Sequence, residues 1–193
     1  MPPELFVFMG LAASGKSTLA RAFAERRGLA CYNSDAVRKE IAGMQAESRG
    51  GEHFGEGIYS RDFTRKTYDT LLDYAAKELR SGRSVVLDAS YGRRREREYV
   101  VDLVDRLKVD CYFILCSCDE EVARLRLAAR EKDPKAVSDA GYEIYQIQKS
   151  SFEYPDKSEK DRTITIDTDA SVAELLKRLE SDLANLQVQR RVD

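Results

Sequence analysis

The stretch "GLAASGKST", Gly10 to Thr18, follows directly on the apolar run "ELFVFM" at 4–9. Gly10, Gly15, Lys16 and Ser17 complete the spacing G-x-x-x-x-G-K-[ST], the pattern of a phosphate-binding loop set between a strand and a helix. Each residue type has a physical task. The glycines let the backbone turn tightly and approach phosphate oxygens, with N–H groups pointing inwards as an anion nest. A helix starting at Lys16 adds the positive end of its dipole. Lys16 can reach the β- and γ-phosphates, and the Ser17 hydroxyl can ligate Mg²⁺. The alternative, a plain glycine turn before a helix, does not explain Lys and Ser at the two positions the pattern requires. Gly10, Ala12, Ala13, Ser14, Gly15, Lys16, Ser17 and Thr18 are therefore assigned to a nucleoside triphosphate, ATP with Mg²⁺.

Outward from the loop, strand and helix patterns alternate. "KSTLARAFAERR" (16–27) puts Leu19, Ala20, Phe23 and Ala24 on one helical stripe and stops at Gly28. "LACYN" (29–33) reads as a strand, and "SDAVRKEIAG" (34–43) as a helix with Ser34 or Asp35 as N-cap. Residues 44–59, "MQAESRGGEHFGEGIY", read as a mobile loop on the acceptor side. The pattern then predicts helix 60–82, strand 83–90, helix 93–108, strand 109–118, helices 119–132 and 138–153, strand 162–167 and helix 171–187. Such alternation predicts a parallel sheet with helices on both faces, in one α/β domain spanning 1–193.

The composition is that of an ordinary globular chain: 193 residues, 42% hydrophobic and 34% charged. No apolar run approaches the roughly 20 residues of a membrane span. The opening "MPPELFVFMG" has neither a basic n-region nor a cleavage site, so no membrane partner and a cytoplasmic location are expected. A net charge of −2 gives no overall attraction for nucleic acid. Cys31, Cys111, Cys116 and Cys118 are expected to be buried reduced thiols, with Cys116 and Cys118 on one strand face. The lone His53 has no second histidine to complete a metal site.

Several side chains separate phosphotransfer from other uses of such a loop. The guanine-specific N-K-x-D does not occur, which disfavours a GTPase switch. Asp35 lies just past the second strand, at the sheet edge where ligands bind. With Arg38 three residues on, it suits a base that accepts a hydroxyl proton beside a cation that holds the acceptor. Asp35 as a mere helix cap is the competing reading. Asp88 ends the strand "SVVLD" and suits a carboxylate holding Mg²⁺ through water, together with Ser17. Arg126 and Arg130, four apart, suit a lid over about 126–140 that closes on the transferring phosphoryl group. The competing reading pairs them with nearby glutamates on a solvated face. Arg93 and Arg97 share a predicted helical face and could meet an anionic acceptor, or form a charged first helical turn.

Together, "GLAASGKST", "NSDAVRK", "SVVLDASYGRRRERE" and "RLRLAAREKDPKAVSDAGYEIYQIQ" resemble the small bacterial P-loop kinases of the zeta-toxin and polynucleotide-kinase-like superfamily. The likeness is strongest to an ATP-binding domain often fused behind an aminoglycoside-phosphotransferase-like domain; no such domain accompanies it, so a stand-alone module is expected. The resemblance implies a three-layer P-loop NTPase fold with a five-stranded parallel sheet of order 2-3-1-4-5 and a lid. It also implies that adenine lies near the loop after "TITID", which makes Thr168 and Arg130 nucleotide contacts. Lys16, Asp35, Arg126 and Arg130 become the catalytic set, and Asp35, Arg38, Arg93 and Arg97 the acceptor set. The expected activity is transfer of the γ-phosphoryl group to a hydroxyl of a small-molecule acceptor. The alternatives are a polynucleotide 5′-hydroxyl kinase, with a nucleic-acid 5′ end as partner, and a non-catalytic ATP-binding module.

Overall fold

The computed structural model describes residues 2–44, 57–131 and 141–192. Most of the expected acceptor loop (45–56, with His53) and of the expected lid (132–140) lies outside the described residues.

Five strands form one sheet: β1 (Glu4–Met9), β2 (Ala30–Asn33), β3 (Val85–Asp88), β4 (Asp110–Ser117) and β5 (Thr163–Asp167). All pair in parallel, in the order β2-β3-β1-β4-β5. The helices between them are α1 (Lys16–Arg27), α2 (Ser34–Ile41), α3 (Arg61–Arg80), α4 (Arg94–Leu107), α5 (Glu120–Glu131), α6 (Tyr142–Ser151) and α7 (Val172–Val192). The expected fold class and strand order are the observed ones.

Strand β1 explains the three layers. Its side chains alternate between faces. Leu5, Val7 and Met9 meet Leu71, Ala75 and Leu79 of α3 and Val100, Leu103 and Val104 of α4. Phe6 and Phe8 meet Leu19 and Phe23 of α1 and Leu175, Leu176 and Leu179 of α7. Residues Leu5 to Met9 are all fully buried, as the central strand of a doubly covered sheet must be. A third, smaller cluster joins Ala12 and Ala13 of the loop after β1 to Ala123 and Leu127 of α5 and Tyr145 of α6. Thus α5 and α6 are packed against the phosphate loop itself.

Three local expectations are corrected. The N-cap of α2 is Asn33, whose side chain accepts from the N–H groups of Asp35 and Ala36. The extended Asn33 backbone makes it the last residue outside the helix, one earlier than Ser34. Cys111 and Cys116 are buried, but Cys31 is exposed, and Cys118 lies beyond the end of β4 with its Sγ on the Ala13 carbonyl at 3.7 Å. The segment Gly57–Tyr59, expected as loop, is a short 3₁₀ turn that leads into α3. Among the described residues no helix is long and apolar enough to cross a membrane.

Candidate functional site

The carboxyl ends of β1, β2 and β3 bring the first part of the site together. After Met9 the chain turns at Gly10, φ +143°, where an added Cβ would lie 2.3 Å from the Cys116 carbonyl oxygen. Gly15, φ +80°, caps α1, and a Cβ there would lie 2.8 Å from Thr168 Oγ1. Only glycine fits either place. Ala13, between them, is held at φ +59°, a conformation alanine adopts at some cost. Lys16 Nζ donates to the Leu11 carbonyl at 3.2 Å, so it lies folded over the loop it serves. Ser14 Oγ is buried with no hydrogen-bond partner. A glycine cradle with an orphaned hydroxyl and a folded-in ammonium fits a polyphosphate.

Asp88 is the electrostatic centre. It is 2% exposed; Oδ2 accepts from Asn33 Nδ2 at 2.7 Å, and Oδ1 is buried without a hydrogen-bond partner. Burial pushes its pKa up. The Lys16 charge, the Ser17 hydroxyl and the Asn33 amide pull it partly back, and the Asp35 carboxylate adds to the rise. Lys16, Ser17, Asn33, Asp35 and Asp88 are therefore one cluster. A dehydrated carboxylate oxygen beside Ser17 fits a Mg²⁺ ion held through Ser17 and, by way of water, Asp88. Asp35 is half-buried in the first turn of α2, and Asn33 already caps that helix, so capping does not account for Asp35.

The expected arginines divide. Arg38 is 6% exposed; its Nη1 donates to the Ile58 carbonyl and to Thr64 Oγ1 at 3.2 Å, and its guanidinium lies over the Tyr59 ring. It ties α2 to the start of α3, with Nε left unpartnered. Arg97 is a correction: at 1% exposure it makes a bidentate pair with Glu159 at 2.5 and 3.0 Å and donates to the Tyr91 carbonyl at 2.9 Å. All three of its nitrogens are engaged, so it holds the fold and not an acceptor. Arg93 is exposed, and its backbone N–H donates to Glu96 at the start of α4. The two therefore share no binding face.

Arg126 and Thr168 brace the phosphate loop from beneath. Arg126 Nη1 donates to the Ala13 carbonyl at 3.3 Å and Thr168 Oγ1 at 2.9 Å, and Nη2 to the Thr168 carbonyl at 2.8 Å. Thr168, 2% exposed, places its hydroxyl 2.8 Å from the Ser14 carbonyl. Thr168 was expected as a nucleotide contact and Arg126 on a lid; these bonds run instead to the backbone of the phosphate loop and to each other. Arg130, half-buried, follows Arg126 by four residues on α5.

Sequence reasoning missed three residues here. Asn33 carried a signal, since Asn before "SDAV" is a favoured cap type. The Glu159 partner of Arg97 and Gln148, whose Oε1 accepts from the Ala12 N–H at 2.7 Å, carried none, because both act across long sequence separations.

A family model described as an AAA domain matches residues 5–155. Curated relatives include uncharacterized proteins of Mycobacterium tuberculosis and Mycobacterium bovis, each 31% identical over 125 residues, which is 63% of this chain. The chain spans 24% of the length of those relatives. Among solved structures, a sugar kinase from a Janibacter species has TM-score 0.69 at 22% identity, covering 95% of each chain. A gluconokinase from Sinorhizobium meliloti has TM-score 0.68 at 21% identity, covering 99% of this chain and 97% of its own. The Mycobacterium tuberculosis APS kinase, solved with AMPPNP and APS, has TM-score 0.67 at 16% identity, covering 95% of this chain and 98% of its own. These likenesses show the fold.

Proposed function

The chain belongs to the AAA-domain family, and we propose that it is an ATP-dependent kinase that transfers the γ-phosphoryl group to a hydroxyl of a small-molecule acceptor. One observation carries the reading: Asp35, Asp88, Lys16 and Ser17 converge at the carboxyl end of the sheet, and Asp35 is not consumed by capping. The kinase names borne by the fold neighbours, a sugar kinase, a gluconokinase and an APS kinase, support it.

Bound ATP–Mg²⁺ would supply the transferable group and much of its charge compensation. Lys16, folded over the loop beside the Leu11 carbonyl, would hold the β- and γ-phosphates, and Ser17 with Asp88 would hold the Mg²⁺. Asp35 orients the acceptor hydroxyl and takes its proton. Arg130 offsets charge on the phosphoryl group, while Arg126 and Thr168 keep the loop from yielding. Arg38 positions α2, and so Asp35, through its contacts with Ile58 and Thr64. Arg93 remains as an exposed cation on the acceptor side. The polynucleotide-kinase-like reading loses half of its cationic pair with the burial of Arg97.

The test is a transfer screen with γ-labelled ATP over sugars, nucleosides, antibiotics and 5′-hydroxyl oligonucleotides. Label on a small molecule supports the proposal. Label on oligonucleotides alone, or on nothing while ATP is bound, overturns it.

A further inference from the structure

The Gln148 side chain reaches from α6 to the backbone of the phosphate loop. The Ala12 N–H can only donate, so the atom it meets at 2.7 Å must be the carboxamide oxygen. That bond fixes the amide's orientation and leaves the two Nε2 hydrogens as donors, with no acceptor among the described residues. The side chain is also well held. Tyr145, one turn earlier on α6, is 4% exposed in the cluster with Ala12 and Ala13. Lys149, the next residue, pairs with Glu120 of α5 at 2.6 Å, and Tyr142 donates to the same carboxylate.

The part of the loop that Gln148 meets is the γ-phosphate end. Lys16 Nζ, the group that reaches the β- and γ-phosphates, already sits on the carbonyl of Leu11, the residue before Ala12. The amides at the start of α1 lie at the other end of the nest. We propose that Gln148 is a γ-phosphate ligand: with Oε1 held on Ala12, it presents Nε2 to a γ-phosphate oxygen. This rests on the nucleotide-binding reading above, but not on the identity of the acceptor. It gives α6 a direct role in telling the triphosphate from the diphosphate.

The experiment measures affinities of the full chain for Mg·AMPPNP and Mg·ADP, which need no acceptor. Gln148→Ala is expected to weaken AMPPNP roughly tenfold, the scale of one hydrogen bond to a charged group, and to leave ADP within about twofold. Gln148→Glu keeps an oxygen for Ala12 but sets a carboxylate against the γ-phosphate, so its AMPPNP loss should exceed that of Gln148→Ala. Gln148→Met, which preserves volume, guards against a loss caused by repacking and should follow the alanine variant. Equal weakening of both nucleotides, or none, would overturn the inference while wild-type AMPPNP binding left the nucleotide site standing. Failure of the wild type to bind either nucleotide would overturn both readings.

Discussion

Asn33 Nδ2 donates to Asp88 Oδ2 at 2.7 Å, across the register pair that ends β2 and β3, while Asn33 Oδ1 caps the helix carrying Asp35. One carboxamide thus sets the spacing between the two carboxylates of the site. Asn33→Ala removes a cap worth about 1 kcal/mol and strips a buried carboxylate of its partner, which costs about 1–3 kcal/mol more. Thermal melts should show a fall on the order of 10 °C. Asn33→Ser, which keeps a capping oxygen, should recover part of it.

Asp88 should be held at the expense of stability. Its folded pKa is raised above the ordinary 3.8 by burial. Between the unfolded and the folded value the native chain binds the proton more tightly. Its contribution is therefore full below the unfolded pKa and lost as pH rises through the folded one, leaving a cost at neutral pH. Asp88→Asn should melt higher than the wild type at pH 7, by about 2–4 °C for each kcal/mol relieved. The gap should close as the pH is lowered towards 4. The same variant should lose Mg²⁺-dependent transfer.

Arg97→Met should unfold the protein more easily without a specific effect on the acceptor. It leaves Glu159 and the Tyr91 carbonyl without their buried donor, and breaking such a pair costs about 3–5 kcal/mol. Denaturant melts would register the loss. Folded enzyme at low temperature should keep its KM for acceptor; a raised KM with unchanged stability would restore Arg97 to the acceptor site.

Gly15→Ala should abolish nucleotide binding. The new methyl would press on Thr168, whose hydroxyl holds the Ser14 carbonyl and accepts from Arg126. Neither can move without shifting the loop. Calorimetry with Mg·ATP should give no measurable heat, and Thr168→Ala in the same chain should not restore binding, because the Cβ of residue 168, 2.9 Å from the new methyl, and the backbone strain at φ +80° both remain.

What could be read from the sequence was whatever short-range pattern controls. The G-x-x-x-x-G-K-S loop, the alternation of strands and helices, and Asp88 at a strand end are local signals, and each stands at the expected place. Arginine roles were illegible, because a guanidinium serves a carbonyl, a carboxylate or a phosphate equally well. Arg97 and Arg93 share a helical period, yet one is buried on Glu159, 62 residues away, and the other faces solvent. Gln148 lay beyond reach for the same reason, being 136 residues from Ala12.

The central claim is that a hydroxyl accepted by Asp35 takes the γ-phosphoryl group of ATP, and Asp35→Asn tests it most directly when transfer rate and ATP affinity are measured together. The account predicts that kcat for transfer falls by roughly 10²–10⁴-fold, the contribution of a general base, while the Kd for ATP stays within about twofold. Transfer at the wild-type rate in Asp35→Asn would contradict it.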